Sequence, residues 1–241
     1  MATQIETAAL PMDVFAAIRT LLAVRHYQDR PVPESVIRRV LEAGRLTASA
    51  INSQPWHFVV VQERDALRQL GALVPENREA LRQLGARVGP GPYLAEATLA
   101  IVVAIDRTPF AVSDASRAIQ SMLLTAWSDG VGGNWSGFGP LQGLEGIRDL
   151  LGIPADVDVL AVVPLGYPAD AVGRGNKVRK PLPEIAHRER WSRPFAQTAS
   201  RAHPDPDVGE EKIGEAGWSR CSVARCARKK PRTEYGFKAV A

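Results

Sequence analysis

The sequence predicts an α+β fold in which helices cover a small central sheet. Apolar residues recur at three-to-four spacing through several long segments, only three short β-rich runs interrupt them, and long intervals separate those runs. Strands spaced this way do not read as a β barrel, so a three-layer α/β sandwich or a related α+β arrangement fits better. With 241 residues, 45% hydrophobic and 23% charged, the chain has the composition of an ordinary globular protein with a substantial core. That length allows one large or two small domains.

A first helix is expected near 12–23. The second, near 33–46, starts behind a proline in PESVIRRVLEAGRLTA and places Val36, Ile37, Val40, Leu41 and Leu46 at helical spacing. HFVVVQ gives a strand at 57–62. Residues 64–88 read as helical and contain ALRQLGA twice, at 66–72 and 80–86. The offset of 14 residues is close to four helical turns, so both copies present the same face, and two copies are too few for a solenoid. A strand at 98–106 leads to a long helix near 113–129, in which Ala115, Ile119, Met122, Leu123 and Ala126 form a stripe beside polar Ser116, Arg117, Gln120 and Ser121. Such a stripe reads as core, though helices of this length and pattern also serve as dimer seams. A short helix near 142–151 and a strand at 158–164 complete the pattern. Apolar periodicity stops at about Pro194, and HPDPDVGEEKIGEAG follows, so a domain spanning 1–197 and a basic, poorly ordered tail at 198–241 are expected.

Composition excludes several kinds of chemistry. Both cysteines, Cys221 and Cys226, lie in the tail, leaving the body without a thiol for catalysis or a disulfide. His26, His57, His187 and His203 form no HExxH pair, and CSVARC lacks a second pair at zinc-finger spacing, so no metal centre is expected. The net charge is +4, but residues 198–241 hold nine basic against six acidic residues, leaving 21 against 20 for the remainder. A solvated terminus accounts for that surplus, and neither a nucleic acid nor a membrane is an expected partner. MATQIETAALPMD shows neither a basic leader nor an apolar core, and LAIVVAI at 99–105 is too short to span a bilayer. The expected location is cytoplasmic.

Four stretches carry candidate chemistry. TASAINSQPWHFVVV at 47–61 sets Asn52, Ser53 and Gln54 between a helix and a strand, where capping and turning explain them when read alone. DGVGGNWSGFGP at 129–140 matches neither a dinucleotide fingerprint nor a phosphate loop nor a nucleophile elbow, but its glycines let main-chain N–H groups approach a flat ligand. In RGNKVRKP at 174–181, Lys177 and Arg179 alternate around Val178, so in an extended chain they share a side, which suits a phosphate or simply a solvated loop. Arg25 in LLAVRHYQDRPVP is, on its own, a surface arginine.

In their order and spacing these stretches resemble the nitroreductase family of FMN-dependent NAD(P)H oxidoreductases over roughly residues 12–191. AVRHYQDRPVP is similar to its first flavin motif, ASAINSQPWHFVVV to its second, GVGGNWSGF to the loop over the flavin ring, and KVRKPLPEIAHRERW to its closing phosphate motif. The resemblance implies a three-layer α/β/α sandwich with a mostly antiparallel central sheet, assembled as an intertwined homodimer whose flavin sites use both chains. It places Arg25, Lys177 and Arg179 at the FMN phosphate, with His26 beside them. Ser49, Asn52 and Gln54, with the Ala48 and Ala50 backbone, fall along the ring and ribityl chain, and Ser136 and Gly137 in the loop near flavin N5. It implies hydride transfer from NAD(P)H through N5 to a nitroaromatic, quinone or activated alkene, with no catalytic acid or base from the chain. The alternative is a flavin- or deazaflavin-binding protein of the same fold with little turnover. Where the family's first motif usually begins with arginine and has serine two residues on, this chain has Leu21 and Ala23.

Overall fold

The computed structural model describes residues 12–73, 93–136, 145–172 and 178–195. The second ALRQLGA copy, Lys177, Gly137 and the 198–241 tail with both cysteines lie outside the described residues.

The described elements are α1 (Val14–Thr20), α2 (Glu34–Arg45), a short 3-10 turn (Ala50–Asn52), β1 (Trp56–Val61), α3 (Arg64–Leu73) and α4 (Tyr93–Glu96). They continue with β2 (Leu99–Asp106), α5 (Ala111–Ser128), β3 (Gly132–Gly133), α6 (Glu145–Leu151), β4 (Val157–Gly166) and α7 (Leu182–Ile185). Four strands form one sheet in the order β1-β2-β4-β3, and every pair is antiparallel.

The three layers follow from the side-chain alternation of β2, whose residues are buried from Leu99 to Ile105. Leu99, Ile101, Val103 and Ile105 face one cluster with Ile37 and Val40 of α2 and Ala115, Ile119 and Met122 of α5. Ala100, Val102 and Ala104 face the other, with Leu67 and Leu70 of α3, Leu94 of α4 and Ile147 of α6. A strand covered on both faces needs an unbroken apolar run rather than polar alternation, and LAIVVAI is such a run. The stripe read on the long helix is therefore core, packed on α2 and the sheet. Gly44 lets α2 come close to α5, since a Cβ there would lie 2.9 Å from Met122 Sδ.

A third, smaller cluster docks α1 and the segment after it through Ala17, Val24, Tyr27, Ala97 and Trp127. Trp127 Nε1 donates to Thr20 Oγ1 at 2.9 Å. Beyond α1 the chain runs along β3: Ala23 bridges Gly133 in parallel, Val24 N–H donates to Gly133 O at 3.0 Å, and Gln28 N–H donates to Tyr167 O at 2.8 Å. This strip lies so close to β3 that a Cβ on Gly132 would collide with Val24.

Gly133 is equally confined, because a Cβ there would lie 2.6 Å from Leu165 Cδ2 and 2.7 Å from Pro164 O. The carbonyl belongs to the sheet and cannot rotate away. Gly133→Ala should therefore destabilise the protein by about 1–3 kcal/mol in urea unfolding, the usual range for overpacking a well-filled interior. A change within error would mean that β3 is free to shift.

Candidate active site

The strip at 23–28 is the structural centre of the candidate site. Its Tyr27 hydroxyl donates to Val24 O at 2.8 Å, and Asn134 Nδ2 donates to the same carbonyl at 2.8 Å. Ser136 Oγ donates to Asn134 Oδ1 at 3.0 Å and lies 3.0 Å from the Tyr93 hydroxyl. Tyr93 in turn lies under Arg25, whose guanidinium carbon is 5.9 Å from the ring centroid. A polar chain thus links the first motif to the glycine-rich loop through buried Asn134 and Ser136. The strip also meets the exit of β4, where Ala169 N–H donates to His26 O at 2.9 Å and Tyr27 bridges Pro168. That exit leads towards RGNKVRKP, so the fold brings the first motif, the loop and the approach to the closing motif into one place.

Arg25 and His26 are exposed at the rim. His26 Nδ1 lies 3.5 Å from Glu96 Oε2. Beside them, an open cleft of about 500 Å³ is lined by Tyr27, Asp29, Arg64, Arg68, Ala95 and Glu96, with Arg64 paired to Asp29. Arg179 is exposed, and its Nη1 donates to Val178 O at 3.4 Å. Neither Arg25 nor Arg179 forms an ion pair with a described carboxylate.

The junction at 47–54 is held on a different element. Thr47 Oγ1 donates to Ser121 Oγ at 2.9 Å, and Ala50 N–H donates to Asp114 Oδ2 at 2.9 Å, both on α5. Ser49 Oγ accepts the Gln54 N–H at 2.9 Å, which ties the turn together. Asn52 and Gln54 are exposed, and both have positive φ, 57° and 47°. Among the described residues, no hydrogen bond or ion pair joins this junction to the 23–28 strip.

The structure adds detail at two positions of these motifs. The resemblance puts Ser136 and Gly137 in the loop near flavin N5; the Ser136 N–H itself donates to Val162 O at 2.9 Å, Val162 N–H returns a bond to Ser136 O at 2.8 Å, and the side chain is buried. Ser136 anchors the loop to the sheet, and any main-chain contact with a ring falls to its neighbours, of which Gly137 lies outside the described residues. Leu21, where the family usually carries arginine, is partly buried and packs against two apolar clusters. The position has become part of the core.

Comparison with known proteins agrees with the geometry. The sequence model of the nitroreductase family matches residues 19–167. A protein of Methanothermobacter thermautotrophicus, named as a candidate NADH dehydrogenase/NAD(P)H nitroreductase, is 38% identical over 186 residues, covering 75% of this chain and 88% of its own. A crystal structure from Parabacteroides distasonis, named in the same way, superposes with a TM-score of 0.63 at 30% identity, covering 74% of this chain and 98% of that one. An FMN-dependent nitroreductase of Clostridium difficile shares the fold at a TM-score of 0.61 and 22% identity, covering 73% and 99%.

The buried Tyr27 gives the site a measurable signature. Burial pushes its phenol well above the ordinary tyrosine value of 10.0, while the Asn134 hydrogen bond opposes the shift. The folded protein then keeps a proton that the unfolded chain sheds, so this contribution to stability is intact below pH 10.0 and is lost as pH rises beyond it. Tyr27→Phe should lose about 1 kcal/mol near neutrality, from the missing hydroxyl contacts. It should also lose stability less steeply than the parent above pH 10.0. Parallel urea unfolding curves across that range test this, and identical slopes would contradict the burial.

Proposed function

The chain belongs to the nitroreductase family, and we propose that it is an FMN-dependent oxidoreductase passing hydride from NAD(P)H to a nitroaromatic, quinone or activated alkene. The observation that carries this reading is the exposed Arg25, held by a strip locked both to the glycine-rich loop and to the β4 exit that leads to the closing cationic motif.

The residues present fit the cofactor. Arg25 and Arg179 offer guanidinium groups not consumed by described carboxylates, which suits a phosphate, and Lys177 joins them in the proposal. Asn52 and Gln54 present exposed amides, and Ser49 has a hydroxyl hydrogen left after its oxygen accepts the Gln54 N–H, matching a ring edge and a polyol chain. When bound, FMN supplies the redox chemistry, accepting hydride at N5 and delivering it to the acceptor. The cations hold the phosphate, the junction orients the ring, and His26 closes the rim. Ser136 fixes the start of the loop, and a main-chain N–H of that loop would stabilise negative charge near N5. No side chain of this set needs to move a proton.

The active unit in this proposal is a homodimer. Val14, Phe15 and Ile18 on α1, and Leu182, Ile185 and Trp191 near the other end of the described chain, expose large apolar side chains that a second copy would cover. In this proposal the sites draw on both chains. No helix among the described residues is long and apolar enough to cross a membrane, and a cytoplasmic location remains part of the proposal.

Flavin-free protein titrated with FMN, read by quenching of flavin fluorescence, should show saturable binding. Losing one charge-assisted contact in Arg25→Ala or in Arg179→Ala should weaken it roughly 10- to 100-fold. The loaded enzyme should then oxidise NADH or NADPH with a quinone or nitroaromatic present. No uptake of FMN would overturn the reading, whereas uptake without nucleotide oxidation would favour the flavin- or deazaflavin-binding alternative.

A further inference from the structure

The junction at 50–54 adopts a backbone that its own residues disfavour. Ile51, Asn52 and Gln54 have φ of 50°, 57° and 47°. Left-handed backbone is unfavourable for a non-glycine residue, so three such residues within four positions persist only if their surroundings impose them. Apolar packing does not, because Ile51 is 93% exposed.

Hydrogen bonds within the turn set its shape. Asn52 N–H donates to Ser49 O at 3.1 Å, Ser53 N–H to Ala50 O at 3.0 Å and Gln54 N–H to Ser49 Oγ at 2.9 Å. None of these fixes how the turn sits on the protein. Beyond the bonds from Thr47 back to Ala43 and Gly44 of α2, the outward attachments of residues 47–54 among the described residues are two, Thr47 to Ser121 and Ala50 to Asp114. Only the second reaches the left-handed stretch.

Asp114 is placed for that task. It lies in the first turn of α5 with 0% exposure. A buried carboxylate is tolerated only when its oxygens are satisfied. Here Oδ2 accepts the Ala50 N–H and Oδ1 pairs with Arg117, whose side chain reaches solvent. The carboxylate thus connects the rigid long helix to the backbone immediately before Ile51 and Asn52. We propose that Asp114 is a positioning residue, whose buried carboxylate orients the 50–54 turn and thereby sets the reach of Asn52 to the cofactor. The cofactor half of this inference rests on the FMN reading above, while the orienting half does not.

Hydrogen exchange on the flavin-free protein tests the orienting half alone. Asp114→Ala should speed exchange of the 51–54 amides by at least about tenfold while the β2 and β4 amides keep their protection. Asp114→Asn retains an acceptor oxygen and should restore most of the protection. If Asp114→Ala does not fold, Ala50→Pro removes the donor instead, and Ser49 already has the extended backbone (φ −126°, ψ 156°) that precedes proline readily. It should loosen residues 51–54 in the same way.

The cofactor half is read from a double-mutant cycle of FMN affinity. Asp114→Ala should weaken FMN about tenfold in the parent and less than about twofold in the Asn52→Ala background, because the turn acts through Asn52. Unchanged exchange at 51–54 would overturn the positioning role. Additive affinity losses would overturn its transmission through Asn52. If the parent takes up no FMN, the functional reading fails, and the exchange result still decides whether Asp114 orients the turn.

Discussion

Close approach of the 23–28 strip to the glycines of β3 and of the β4 exit is the constraint on which the candidate site depends. Side chains at Gly132, Gly133 or Gly166 would occupy the space now filled by Val24, Leu165 and Tyr27, and a Cβ at Gly166 would lie 2.8 Å from the Tyr27 ring. Because those positions are bare, main-chain hydrogen bonds form from Val24 to Gly133 and from Gln28 to Tyr167. Arg25 and His26 are then carried on a fixed strip rather than a free loop. A cation on a free loop would lose conformational entropy on meeting an anion, and the strip has already lost it on folding.

The same contact explains the polar interior beside it. Tyr27, Asn134 and Ser136 are buried, and each has a hydrogen-bond partner, so the network specifies one arrangement of strip and loop. The junction is held by other contacts, through Asp114 and Ser121 of the long helix. The two parts of the proposed site are thus anchored separately in one chain. In the proposed dimer, two such chains complete two sites, which accounts for the apolar side chains exposed on α1 and near Trp191.

Much of the fold was legible because the core strands and helices have strong periods. LAIVVAID reads as a strand within one residue of its observed start, and the stripe from Ala115 to Ala126 marks α5 although the helix begins two residues before the expected position. What escaped were pieces too short to have a period: α4, α7 and the two-residue β3. The antiparallel order came from the family resemblance, since periodicity does not encode pairing. Arg25 was legible as a candidate cofactor residue only with the other motifs beside it. Asp114 was not, because an acidic residue in a helix's first turn normally reflects the helix dipole, and its bond to Ala50 spans 64 residues. The pairing of Ser136 with Val162 was not legible, since the sequence carries no mark of it. Leu21 reads as a departure from the motif, and its packing shows why an apolar residue suits the position.

Anaerobic mixing of the FMN-loaded protein with NADPH, and separately with NADH, followed by visible absorption, tests the central claim most directly. Hydride transfer predicts that the oxidised flavin absorbance bleaches with at least one nucleotide and returns when a quinone or nitroaromatic is added. Bound flavin that stays oxidised with both nucleotides would contradict the account, because a fold that holds the cofactor would then not be using it for this chemistry.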